Sequence, residues 1–353
     1  YTGKPIPLSP NWWLSSSGKT KVAVRPVFDE NASEASFEIL RGKELEGYDP
    51  SQGTVSRGNG ISPWAQNQPV TGKYIKQEAK AGRMGQQLYA VAIKKTRGMD
   101  FRAPTKEDLE AVRRAEEELE RKLPEWEAKG LVPEDAIPDG NKTSEPRRYG
   151  MFKWKDMFSP RQLLSMCTFL EELGITFDSI KATSESKAIA LKTYLTAVLS
   201  KALNYNSNLA SWDATRNKVR GVFDRHDFSF KWSFGEFDAS RNLFTFGLDQ
   251  VIDALKGLIK LTKEKDSTAS VVMNSATDIS CIDNKSVSCV CIDPPYYDNV
   301  MYAECSDFFY VWMKRSLGDV FPEWFNTQLT NKDDEAVANV ARFSSMKRKK
   351  SEL

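Results

Sequence analysis

The sequence predicts an α/β chain, and three observations carry that class. Two short apolar runs in the last third, Ser270–Asn274 and Val287–Ile292, do not alternate with polar residues; such runs suit strands of a parallel sheet covered on both faces. The middle of the chain repeats apolar residues at helical spacing. The first hundred residues are broken by Pro, Gly and Ser into short extended pieces, the pattern of a small β-rich module. Four regions follow: β-rich residues 1–100, a helix and linker over 101–150, a helical region over 151–265, and the α/β portion over 266–353.

Taken in order, Lys21–Val27 and Ser36–Leu40 are predicted strands, Leu88–Ile93 is a further apolar run, and Ser56–Val70 is a loop by composition. Thr105, with Glu107 and Asp108 behind it, is a predicted N-cap with an acidic first turn. Leu109, Val112, Leu119 and Leu123 continue that helix until Pro124 should stop it. Residues Pro124–Arg148, rich in Pro and charge, read as a linker or surface excursion. Ser159-Pro160 opens the next helix, with Gly174 as its expected end, and a second long helix fits Ser184–Tyr205. Asn217–Phe237 is basic and aromatic, and Leu248–Leu261 is helical again. The block Ser306–Trp312 reads as core.

Composition narrows the function. Lys and Arg number 50 against 48 Asp and Glu, a net charge of +2, so a nucleic-acid partner must be met by a local basic patch. One such stretch carries Arg216, Lys218, Arg220, Arg225, Lys231 and Trp232, which could grip phosphates and stack on a displaced base, and the basic tail Lys347–Lys350 could add auxiliary phosphate contacts. His226, the single His, reads as a structural residue, and one His cannot build a multi-histidine metal site. None of the five Cys pairs at C-x-x-C spacing. Cys167, Cys281, Cys289, Cys291 and Cys305 are therefore expected to be buried small hydrophobes in a reducing, cytoplasmic setting. No apolar run approaches the ~20 residues of a membrane span. The chain opens at Tyr1 without an initiator Met or the features of a secretory signal, which suggests an internal start.

The second apolar run leads straight into Asp293-Pro294-Pro295-Tyr296. In open α/β sheets, ligands bind beyond the carboxyl ends of strands. Two consecutive prolines stiffen the turn and remove two backbone donors, so it presents acceptors. Asp293 adds a carboxylate and Tyr296 a flat ring suited to stacking on a base. That combination fits an exocyclic amino group on a planar heterocycle. Hydrogen bonds from the amine to Asp293 and to the Pro294 carbonyl would favour a tetrahedral nitrogen with its lone pair free to attack. The base must leave a duplex to reach such a turn.

A hydrophobic strand ending in Asp-Pro-Pro-Tyr is similar to the corresponding motif of the S-adenosylmethionine-dependent methyltransferases that modify adenine N6 or cytosine N4 in DNA. Ser275–Asp278, Val290–Val300, Tyr302-Ala303-Glu304 and Ser306–Trp312 together resemble the large adenine-specific DNA methylases with a DUF1156 domain and a zinc-ribbon insert. Ile6-Pro7-Leu8, Trp12-Trp13-Leu14, Glu78–Gly85, Phe101–Thr105 and Val222–Arg225 agree. The resemblance spans most of residues 5–343 and implies a partial Rossmann-like S-adenosylmethionine-dependent methyltransferase fold. Residues 1–100 would be a degenerate zinc-ribbon-like insert, 151–265 a target-recognition region and 266–353 the methyltransferase portion. The implied reaction is direct transfer of the sulfonium methyl to adenine N6 of a base flipped from double-stranded DNA, in restriction-modification or phage defence. Asp293, Pro294, Pro295 and Tyr296 inherit the catalytic roles; Ser275, Ala276 and Asp278 stand near where the cofactor adenine would lie. Helicase, ATPase or nuclease defence partners are implied as well, and a membrane is not.

Two departures qualify the resemblance. The segment Ile61–Val70, where the ribbon would carry a Cys pair, has none, so no zinc is expected. The glycine-rich Phe-x-Gly-x-Gly turn that holds S-adenosylmethionine is also missing: Gly58-Asn59-Gly60 follows a polar loop, and Gly82 and Gly85 sit in an Ala/Lys-rich context. The methyl donor is then expected to be held by a portion upstream or in another polypeptide. A catalytically incomplete DNA-binding or scaffolding subunit is the alternative from another class; a cytosine-N4 or RNA-base methyltransferase keeps the chemistry and changes the target.

Overall fold

The structure is a computed structural model describing residues 2–262, 269–272, 274–275, 278–297, 299–333 and 335–339. It divides into two compact units that interleave along the chain. The first comprises Tyr1–Ile137, Ser144–Cys167 and Leu203–Asp238; the second comprises Pro138–Thr143, Thr168–Ala202 and Ala239–Leu353.

The first unit is built on short antiparallel sheets. Strands β1 (Trp13–Ser15), β2 (Val22–Val27) and β3 (Ser36–Arg41) form a meander, with Ala23 opposite Leu40 and Arg25 opposite Glu38. Its inner face buries Trp12, Leu14, Val22 and Val24 against Phe101, with Phe37, Tyr89 and Trp212 packed around them. The predicted loop 56–70 is instead a second small sheet: β4 (Val55–Ser56), β5 (Asn59–Ser62) and β6 (Gln68–Val70). Composition missed it because its turns take left-handed residues, Arg57, Gly58, Gln66 and Asn67, which look like loop in a sequence. Helix α1 (Gly72–Lys80) follows, capped by the Thr71 hydroxyl. Strands β7 (Val91–Lys94) and β8 (Met99–Arg102) then form a hairpin.

Helix α2 (Lys106–Ala128) starts with the predicted cap: Thr105 accepts from the Asp108 amide, and the Asp108 carboxylate takes the Thr105 amide at 2.7 Å. It does not stop at Pro124. Trp126, fully buried, holds the next turn, and Lys129 N–H still reaches the Glu125 carbonyl. Residues 124–148 are no linker either, since Trp126, Val132 and Ile137 are core and Ser144–Arg148 forms the short helix α3. Helix α4 (Pro160–Lys181) opens on a reciprocal cap in which Ser159 and Gln162 exchange backbone and side-chain hydrogen bonds. It runs past Gly174 because Leu173 and Phe177 extend its buried stripe. A hairpin, β9 (Ser211–Asp213) with β10 (Lys218–Arg220), completes this unit.

The second unit is helical. Its helices are the later turns of α4, α5 (Glu185–Tyr205), α6 (Phe244–Thr262) and α7 (Tyr302–Leu317). Lys192 of α5 reaches both carboxylate oxygens of Asp319 at 2.8 Å, with its ammonium 4.1 Å from the Phe177 ring centre. In α7, Phe308, Val311 and Trp312 are fully buried, as the sequence predicts for that block. The expected strands Ser270–Asn274 and Val287–Ile292 are irregular in their described residues, and every strand pairing among the described residues is antiparallel. A parallel sheet needs paired strands joined by crossovers and cover on both faces. Two isolated runs cannot supply these to each other.

Candidate functional site

The Asp-Pro-Pro-Tyr turn stands at the end of an exposed apolar segment. Val290 and Ile292 are 78% and 79% exposed, and Tyr296 is 66% exposed. Asp293, Pro294 and Pro295 are exposed too. The downstream side of the turn is held firmly. The Tyr297 carbonyl accepts from the Ala338 amide at 2.7 Å, Val300 and Met301 are buried, and the first turn of α7 is capped where the Glu335 carboxylate takes the Ala303 N–H at 2.8 Å.

Two acidic residues of α7 anchor this side. Glu304, 3% exposed, accepts from the Asn141 and Lys142 amides at 3.2 and 2.7 Å and from the Asn339 side chain at 2.5 Å. Gly140 lies so close that a Cβ there would stand 2.7 Å from the Glu304 carboxyl group. Asp307 is fully buried, takes the Thr330 amide and hydroxyl at 2.9 and 2.6 Å, and pairs with Lys332 at 2.7 Å. In the sequence both lie in segments read as core or as part of the resemblance, Ser306–Trp312 and Tyr302-Ala303-Glu304, without a site role of their own. The signal was present: carboxylates at 304 and 307 fall on the same helical face as Phe308 and Val311, where an unpaired charge would be costly.

Of the expected cofactor residues, Ala276 lies outside the described residues, Ser275 is half-buried and Asp278 is exposed. Hydrogen bonds from the Ser280 side chain and amide hold the Asp278 carboxyl below the usual range, with the amide at 3.0 Å. A nucleoside cofactor needs a cleft that buries most of its surface. Residues as exposed as Asp278, Ile292 and Tyr296 are not the walls of one, so the described residues do not by themselves fit S-adenosylmethionine.

Three cysteine expectations fail for the same reason. Cys167 is buried, but Cys281, Cys289 and Cys291 are exposed and Cys305 is intermediate. The three exposed ones lie in the segment that has no sheet to cover it. Among the described residues no group of His, Cys, Asp and Glu could hold a metal, and no helix is long and apolar enough to cross a membrane.

The predicted nucleic-acid residues separate into two sets. Arg216 and Lys218 are exposed at the β9–β10 turn, which is pinned by Ser16 N–H to the Ala214 carbonyl. Arg220 is engaged with Asp224, while Arg225 is exposed. Lys231 is half-buried, and burial, opposed in part by Asp227, pulls its pKa below the ordinary lysine value. Trp232 lies edge-on to Tyr149 and Phe230, at 5.3 and 5.1 Å between ring centres. These rings pack on one another, so Trp232 serves as a wall of an aromatic cluster. The basic tail residues Lys347–Lys350 lie outside the described residues. Comparison of the chain with protein-family models, curated proteins and solved structures gives no match.

Proposed function

We propose that this chain is the target-base portion of an S-adenosylmethionine-dependent DNA methyltransferase, acting most directly on adenine N6. The observation that carries it is the asymmetry of the Asp-Pro-Pro-Tyr turn, rigid by its prolines and tied down at Tyr297, yet open on its acceptor face. An open acceptor turn can receive an exocyclic amine. Asp293 and the Pro294 carbonyl would take its two N–H groups, and the exposed Tyr296 ring would cover the base. The methyl donor must then be held by a partner portion whose sheet also covers Val290 and Ile292.

The test is methylation of DNA by the polypeptide or complex that carries both portions, with labelled S-adenosylmethionine. Asp293→Ala should lower the rate at least about 100-fold and Tyr296→Ala less, with DNA binding unchanged. Unaltered methylation by Asp293→Ala would remove the assignment. The openness of the turn equally favours an inert DNA-binding subunit. No methylation by any assembly containing the wild-type chain, together with intact DNA binding, would select that second reading. Methylated adenine, cytosine or RNA in the product would fix the target.

A further inference from the structure

Helix α1 carries a row of cations that differ from the ion-paired arginines of α2. On α2 Arg113 engages Glu110 and Glu117 and Arg121 engages Glu118, and just past its end Lys129 reaches Glu125 at 2.6 Å. On α1 the residues Lys73, Lys76 and Lys80 fall at i, i+3 and i+7, one helical face. None of the three, nor Arg148 at the end of α3, has an ion-pair partner among the described residues.

These cations belong to one surface. A Cβ on Gly150, two residues after Arg148, would stand 2.4 Å from the Ala79 carbonyl, so the chain following α3 lies directly on the end of α1. The Lys76 ammonium sits 5.7 Å from the centre of the Tyr149 ring. Tyr149 is stacked on Phe230 with centres 3.9 Å apart and planes 15° from parallel, and Trp232 closes the cluster edge-on. The acidic groups close by are already engaged: Glu78 binds Arg83, Glu145 takes the Phe230 amide at 3.1 Å, and Asp227 takes the Ser229 amide. The rings spend their faces on each other, which makes the cluster a stiff support and leaves the cations as the outward chemistry.

We infer that the face formed by Lys73, Lys76, Lys80 and Arg148 is a contact surface for the sugar-phosphate backbone of duplex DNA, beside Lys231 and Trp232. Seven residues of helix span about 10 Å, and a duplex of that length carries roughly six phosphate charges. Such contacts are independent of sequence and set position on the duplex. The inference rests on the DNA-binding part of the proposed function, not on methyl transfer.

The test is fluorescence anisotropy of the intact chain with a labelled duplex, between roughly 50 and 200 mM salt. The triple variant Lys73→Glu, Lys76→Glu, Lys80→Glu should bind at least about tenfold more weakly, with the salt slope lower by about 3. Replacing the same three lysines by Gln should give a smaller loss in the same direction and guards against misfolding. Reversing Arg113, Arg114 and Arg121 on α2 to Glu changes the net charge equally and should have much less effect. Equal losses from the two reversals would overturn the inference, because bulk charge would then suffice. So would a loss confined to single-stranded or RNA probes. An Asp293→Ala variant that still methylates while the lysine variants lose binding would sink the methyltransferase reading and leave this surface standing.

Discussion

Within the second unit, the residues on the two sides of Tyr297 obey opposite rules. Downstream, Val300 and Met301 are buried, and carboxylates hold the chain at Ala303, Asn141, Lys142 and Thr330. Upstream, Val271, Val290 and Ile292 are more apolar than most of the downstream contacts, yet all lie exposed, Val271 at 88%. Hydrophobic character alone therefore does not decide burial here. Glu304 is inside because both its oxygens meet fixed donors, and Asp307 because Oδ1 takes the Thr330 amide and hydroxyl while Oδ2 is balanced by the Lys332 ammonium. Val271, Val290 and Ile292 are outside because no strand among the described residues pairs with their backbone, and an unpaired backbone is costly to bury.

The contrast can be broken most forcefully at Glu304. Glu304→Ala strands two backbone amides and the Asn339 side chain in a buried site. At ~1–3 kcal/mol for each unsatisfied group, a loss of about 3–5 kcal/mol in the second unit is expected. Urea unfolding of the chain would measure it. A loss below about 0.5 kcal/mol, the range of ordinary surface changes, would show that the downstream side is not anchored through this carboxylate. Upstream, the double variant Val290→Lys, Ile292→Lys should change the stability of the chain by no more than about 0.5 kcal/mol, since both side chains already face solvent. Under the proposed function, the same variant should prevent assembly with the portion proposed to hold the methyl donor, measured by co-purification. Normal assembly would mean that this run is not the covered strand.

Much of the fold was legible where local chemistry suffices. Thr105 with Asp108 and Ser159 with Pro160 announced their helices, and both caps are satisfied within four residues, the second by Gln162. Helix α6 was readable from its period. Helix ends were not: Pro124 and Gly174 look like stops, but buried Trp126 and Phe177 carry the helices beyond them. The reading of Asp293–Tyr296 rests on four adjacent residues alone, whereas the donors at Asn141, Thr330 and Asn339 that hold the downstream side are far away in sequence and identifiable only once the chain has folded. The apolar strands marked the limit of pattern reading in the other direction. Their period told what would cover them, and nothing local could tell whether it was present.

The finest test of the contrast is electrostatic. If the upstream segment is organised only by its own turns, its charges should respond to immediate neighbours and to nothing distant. Asp278 makes this measurable, because its carboxyl is held below the ordinary value of 3.8 by the Ser280 hydroxyl and amide. The sign follows from linkage: a carboxyl depressed in the folded state favours folding above its unfolded pKa, and that contribution disappears as pH falls through the folded value. In carboxyl-detected NMR titration, Asp278 should therefore titrate below an ordinary aspartate, and Ser280→Ala should raise it part of the way back, the Ser280 amide remaining. Raising the salt should move it little, since hydrogen bonds rather than distant charges set the shift. A strong salt dependence would reveal a distant charge acting on the turn, and the upstream segment would then be more organised than its exposed valines imply.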